Sequence, residues 1–112
     1  MAQQRMRRVD EAIRQVLADT LAAELADPRV GFVTVTDVRT SPDLRSARVF
    51  VSVLGDDEAR EGTLAGLRSA HGVLQRRIAA ELHLKRTPAL EFVYDSTTDR
   101  ALRVEELLRE NR

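Results

Sequence analysis

The sequence contains no cysteine and no tryptophan, and its 112 residues include only three prolines and five glycines. Without cysteine there is no disulfide scaffold, no thiol nucleophile and no thiolate metal site. With so little glycine and proline, neither a low-complexity chain nor a disordered one is indicated. Aromatics are confined to Phe32, Phe50, Phe92 and Tyr94, so stacking platforms for bases are scarce. No run approaches the ~20 apolar residues that span a bilayer. The basic start, MAQQRMRRVDEAIRQ, has no apolar stretch behind it, so no secretory signal is read there. A cytoplasmic domain is expected. Charge of either sign is also missing in the sum, since 18 basic residues balance 18 acidic ones. That balance argues against uniform coating of a polyanion, but says nothing about where the charges sit.

What is present is strong periodicity. Val9, Ile13, Val16, Leu17, Leu21 and Leu25 recur at helical spacing and predict an amphipathic helix. Asp27-Pro28 should stop it, and Asp10 and Arg14 should pair across one turn. Two branched runs follow, Gly31 to Val38 and Ala47 to Val53, separated by the turn-forming Thr40-Ser41-Pro42-Asp43. They predict a hairpin, with Val49, Val51 and Val53 on its buried face and Phe50 opposite. Val38 falls out of phase and implies a bulge near Asp37. From about Glu58 to Leu84 the period is helical again, with Leu64, Leu67, Leu74, Ile78 and Leu82 as core positions. Ser69-Ala70-His71-Gly72 interrupts it, so two helices are expected to meet at Gly72. Leu90 to Tyr94 alternates as a third strand. Ser96-Thr97-Thr98-Asp99 resembles a capping box, ahead of a short amphipathic helix with Ala101, Val104, Leu107 and Leu108.

The order α-β-β-α-α-β with a short C-terminal helix predicts an α+β fold. A three-stranded sheet with helices on one face has the arrangement of a type II KH domain. Residues 6–109 are expected to form one domain, with 1–5 and 110–112 as flexible termini.

Several strings together are similar to the ribosome-binding factor A family. They are Asp27-Pro28-Arg29 with Val33-Thr34-Val35-Thr36-Asp37-Val38, and Ser41-Pro42-Asp43-Leu44 with Ala47-Arg48-Val49-Phe50-Val51-Ser52. Arg86-Thr87-Pro88-Ala89-Leu90-Glu91-Phe92, with Asp95-Ser96 and Leu107-Leu108 beyond, completes the set. The resemblance runs from about Met6 to Leu108. It implies a KH-like fold in which an Ala-x-Gly kink, here Ala70-His71-Gly72, replaces the Gly-x-x-Gly loop. It also implies a non-catalytic assembly factor that binds 16S rRNA and immature, free 30S subunits rather than 70S ribosomes. Such factors assist late 16S maturation, including 5′ end processing, and matter most in the cold. No cofactor, metal, membrane or small-molecule substrate is implied, and a monomer is expected. Two positions depart from the family pattern. Ala89 stands where Glu is usual, and Ala101 where glycine is frequent.

The residues alone point the same way. Residues 68–86 carry Arg68, Arg76, Arg77, Lys85 and Arg86 against Glu81, a local balance of +4. Residues 1–14 balance at +2, with Arg7 and Arg8 among them, and residues 55–62 at −3. Arg76 and Arg77 should point away from the Leu74/Ile78/Leu82 stripe. The candidate RNA surface is therefore Arg68, His71, Gly72, Arg76, Arg77, Lys85 and Arg86, with Arg7 and Arg8. A helix start at Gly72 would add backbone N–H donors for phosphate. Asp37, Asp43 and Asp95 read as caps, because no nucleophile or base accompanies them. A general KH-type nucleic-acid binder and a protein-interaction adaptor remain the alternatives.

Overall fold

The computed structural model describes residues 2–23 and 33–110, with side chains described for 4–22, 33–97 and 104–110. Its elements are α1 (Ala2–Ala23), β1 (Val33–Thr40), β2 (Ser46–Val53), α2 (Asp57–Ser69), α3 (His71–Glu81), β3 (Ala89–Tyr94) and α4 (Thr97–Glu110). This is the expected α+β order. The helix stop at Asp27-Pro28, Leu25, Arg29 and Gly31-Phe32 lie outside the described residues. So do the side chains of Thr98, Asp99 and Ala101. The C-terminal helix is not short: its 14 residues exceed the 11 of α3.

The strands form one sheet in the order β1-β2-β3, with β1 antiparallel and β3 parallel to β2. Alternation along β2 buries Ala47, Val49, Val51 and Val53 and turns Arg48 and Phe50 to the other face. The bulge is where the broken phase put it. Val35 pairs with Val51 and Asp37 with Phe50, leaving Thr36 as the extra residue. This lets Val35 and Val38, three apart, both reach the core.

Helix α1 packs along β1, α2 along β3, and α3 against α1. Ile13, Leu17, Leu67, Leu74 and Ile78 are fully buried with the β2 valines and Phe92. Each such side chain contributes about 1.5–3 kcal/mol of burial energy. Thr20 is buried in α1 but returns its hydroxyl to the Val16 carbonyl, at 2.7 Å.

Acidic side chains fasten the ends of these elements. The Asp10 carboxylate accepts from the Thr40 N–H at 2.9 Å, joining α1 to the end of β1. Asp10 is therefore not the partner of Arg14, which pairs with Glu11 instead. That pairing holds the Glu11 carboxyl below its ordinary pKa, chiefly through the hydrogen bond. Asp43 accepts from the Ser41 hydroxyl and the Arg45 N–H. The same bonds, the Ser41 one foremost, lower its pKa and brace a hairpin loop in which Leu44 sits at φ 60°. Asp37 caps Val38 N–H. Asp95 accepts from Thr36 hydroxyl at 2.7 Å and from Thr97 N–H at 3.0 Å, at the start of α4. All three acids act as caps, as read from sequence.

Asp56 caps α2 through the Ala59 N–H at 2.9 Å. Gly55, just before it, has φ +131°, and an added Cβ would stand 2.8 Å from Ala59 Cβ. Both conditions require glycine. Gly55→Ala is expected to destabilise the fold by about 1–3 kcal/mol, read as a lower midpoint in urea unfolding.

Candidate nucleic-acid interface

Helices α2 and α3 are nearly one helix with a single displaced residue. Ala70 lies at φ −88°, ψ 3°, outside the helical well but sterically allowed for any residue. Its N–H closes α2 onto Gly66 and Leu67 carbonyls, and its carbonyl accepts from Leu74 N–H at 3.1 Å. The break thus falls at Ala70, the first residue of the expected Ala70-His71-Gly72 kink and two residues before the Gly72 at which periodicity alone put it. Gly72 sits inside the first turn of α3 and has no positive φ. A Cβ there would meet the Arg76 guanidinium at 3.6 Å, an ordinary contact. The kink depends on Ala70, not on glycine's backbone freedom.

No side chain caps the start of α3, leaving its opening N–H groups available to solvent or an anion. Arg68 lies in the last turn of α2, where a cation suits the helix dipole. His71 Nδ1 is 2.7 Å from the Arg68 carbonyl, and the ring lies on the surface. Val73, Arg76 and Arg77 are exposed while Leu74 and Ile78 are buried, so the arginines face away from the core as expected. Gln75 donates to the Pro88 carbonyl at 3.1 Å. That bond ties α3 to the loop carrying the exposed Lys85 and Arg86.

Three hydrogen bonds show which end of the sheet this is. Pro88 precedes the first residue of β3, and Ala89 N–H donates to the Arg45 carbonyl at the start of β2. Asp10, on the N-terminal half of α1, holds the last residue of β1. Arg5, Arg7 and Arg8 lie within two turns of Asp10 on the N-terminal side, and all are exposed. The amino-terminal part of α1, the Lys85-Arg86 loop and the middle of α3 therefore gather at one end. The acidic start of α2, with Asp56, Asp57 and Glu58, follows Val53 at the other.

Pairing separates the cations into two groups. Arg14, Arg39, Arg45, Arg48, Arg60, Arg77 and Arg109 each have a carboxylate within 4 Å. Arg5, Arg7, Arg8, Arg68, Arg76, Lys85 and Arg86 have none among the described residues. Nearly the whole sequence-derived surface falls in the second group. Arg77 does not, since it bridges to Glu81 at 3.3 Å. Arg5, exposed in the same basic opening segment, joins the second group.

Residues 5–108 match the model of the ribosome-binding factor A family. The chain belongs to that family. It is 51% identical over 106 residues to ribosome-binding factor A of Anaeromyxobacter sp. strain K, covering 94% of this chain and 77% of that one. Identity to the Acidothermus cellulolyticus protein is 47% over 104 residues, covering 93% and 69%. The crystal structure of ribosome-binding factor A from Thermus thermophilus superposes with TM-score 0.71 at 30% identity. That match covers 80% of this chain and 94% of the other. A homology model of Thermus thermophilus ribosome-binding factor A, fitted into a cryo-EM map of a 30S complex, gives TM-score 0.62 at 32% identity. It covers 75% of this chain and 88% of that one.

The sequence resemblance and the structure thus agree on a ribosome-binding factor A fold with a kinked helix pair. Helical glycine costs about 0.5–1 kcal/mol relative to alanine. With Ala70 supplying the kink, Gly72→Ala is expected to fold normally and to raise the urea midpoint slightly. A loss of stability in that variant would restore a conformational role for Gly72.

Proposed function

We propose that this chain is a non-catalytic assembly factor that binds 16S rRNA in immature, free 30S subunits and not in 70S ribosomes. In this reading it acts as a monomer in the cytoplasm. It supports late 16S maturation, including 5′ end processing, with greatest need in the cold. The observation carrying the reading is the gathering of unpaired cations at one end of a neutral domain, where the family's 30S-bound relative gives the partner class. Arg68, Arg76, Lys85 and Arg86, with Arg7 and Arg8 beside them, would contact phosphates. His71 and the opening N–H groups of α3 would add further contacts from the start of the same helix.

The mechanism is differential affinity. A wedge that binds an unfinished RNA junction better than the finished one shifts the population toward the unfinished form and leaves when the junction closes. Few aromatics and one small basic end favour recognition of phosphate and shape over base identity. Among the described residues no cluster of three or more metal-binding side chains occurs, and the reading calls for neither cofactor nor nucleophile.

Arg77 is a poor probe because Glu81 already occupies it, so Arg76 and Arg86 are the better pair. With about 4–6 phosphate contacts, affinity for 30S particles should fall steeply from low to moderate salt. Arg76→Glu with Arg86→Glu should lower the salt slope by about two contacts and weaken binding to particles at least tenfold. Unchanged particle binding by a folded double variant would remove this surface from the reading. On a sucrose gradient the wild-type chain should travel with free 30S and be absent from 70S.

A further inference from the structure

A groove of about 320 Å³ lies between α1 and β1, lined by Arg7, Asp10, Glu11, Arg14, Asp37 and Val38. That is the lower end of the range for small-ligand sites, about 300–1,000 Å³. Its charges are mostly spent on one another. Glu11 is bridged to Arg14. Asp37 accepts from Val38 N–H at 2.9 Å and from Arg39 Nε at 3.2 Å. Asp10 gives one oxygen, Oδ1, to Thr40 N–H. Two polar groups of the lining are left without a partner among the described residues. One is Asp10 Oδ2, and the other is the Arg7 guanidinium. They stand three residues apart on α1 and so share one of its faces.

Counting Arg39, three cations meet three carboxylates here, so the groove has no net charge. A phosphate would face Asp10, Glu11 and Asp37, and a partner's lysine or arginine would face Arg7 and Arg14. Among the described residues no group of three or more side chains is placed to hold a metal ion. The ligand that fits is neutral and planar, with Val38 as an apolar wall beside it. It offers two adjacent acceptors to the Arg7 fork and then a donor to Asp10 Oδ2. A side-chain amide has one acceptor and leaves the fork half filled.

RNA bases differ in this order of groups. Guanine presents N7 and O6, then N1–H, and cytosine presents O2 and N3, then N4–H. In adenine the N6 donor separates N7 from N1, and in uracil N3–H separates O4 from O2. Neither gives the fork two adjacent acceptors. Watson–Crick pairing consumes these donors, so the base must be unpaired. We infer, on the ribosomal reading above, that the groove reads one unpaired base of the bound RNA through Arg7 and Asp10, accepting guanine or cytosine over adenine and uracil. Arg5 and Arg8, exposed on the same segment, hold the flanking phosphates, and Arg7 keeps further N–H donors for one. One base is thus read within a footprint otherwise recognised by phosphate and shape.

The test uses heptauridine RNAs whose central base is uracil, adenine, guanine or cytosine, with binding to the full chain followed by fluorescence anisotropy at low salt. A central guanine or cytosine should bind at least about fivefold tighter than adenine or uracil. If guanine is the base read, inosine, which keeps N7, O6 and N1–H, should replace it and 7-deazaguanine should not. If cytosine is read, both analogues should bind as weakly as adenine. Asp10→Asn keeps an oxygen for Thr40 N–H but puts a donor in place of the free acceptor. It should erase the preference and leave the melting temperature within a few degrees. Arg7→Ala, at an exposed position, should also erase it. A residue that touches only phosphate would instead weaken all four probes equally and leave their ratio unchanged.

Equal binding of the four probes, or a preference for adenine or uracil, would overturn the proposal. So would a guanine preference that inosine loses, or a preference that survives in Arg7→Ala. If Asp10→Asn unfolds, Arg7→Ala decides. Binding to 30S particles separates this proposal from the reading beneath it. A chain that binds particles but distinguishes none of the probes overturns the base groove alone. A chain that binds neither particles nor probes overturns the ribosomal reading with it.

Discussion

The parallel pairing of β2 with β3 is the constraint on which the rest of the molecule depends. A parallel neighbour cannot be reached by a tight turn, so the chain leaving Val53 must travel back to the opposite end before Ala89 can begin. Helices α2 and α3 make that return, and both need a buried face on the way. Leu67 from α2 and Leu74 and Ile78 from α3 are fully buried, but α2 packs along β3 while α3 meets α1. A straight helix cannot serve two such directions. One residue at ψ 3° changes the heading without losing either hydrogen-bond ladder. The crossover thereby delivers Arg76, Lys85 and Arg86 to the end of the sheet where α1 begins.

Carboxylate allocation turns this geometry into a surface. Asp10, Asp43, Asp56 and Asp95 each spend an oxygen on a backbone N–H at or beside an element end, and Asp37 spends one on Val38 N–H at the bulge of β1. Most of the paired arginines are held by acids on the sheet and helix flanks. Such exposed pairs contribute little to stability, typically below 1 kcal/mol each. Their main consequence is electrostatic, because a paired arginine presents a weak field. Among the described residues, the cations left without carboxylates therefore contribute an uncompensated field, although the sum over the chain is zero.

Much of this was legible in the sequence, and the physical reason is periodicity. Burial imposes a period of two on β2 and of 3.6 on α1, so Val49, Val51 and Val53, and Ile13, Val16 and Leu17, announced themselves. The phase error at Val38 exposed the bulge for the same reason. What was not legible depends on single local geometries or on contacts distant in sequence. Asp10 is one turn from Arg14, but its partner is the Thr40 N–H, 30 residues away. Within the Ala70-His71-Gly72 kink, periodicity alone pointed to Gly72, because a glycine marks a weak point in a helix, whereas the residue that turns is Ala70. Arg77 and Arg76 carry equal charge in a sequence window, yet only the structure shows Glu81 bridged to Arg77.

Zero net charge, with cations at one end and acids at the other, has a further physical consequence. A uniformly basic domain of this size would bind any exposed phosphate, and most of the RNA in a cell would compete for it. Here the acidic start of α2, with Asp56, Asp57 and Glu58, repels phosphate when that end approaches first. Among the described residues, the α1–α3 end is the one that gathers cations without a carboxylate partner, so approach with that end forward is attractive. The field therefore sets orientation before contact, and neutrality limits the footprint. A small footprint gives modest affinity by itself, so selectivity has to come from matching the shape of one RNA site rather than from the sum of charge.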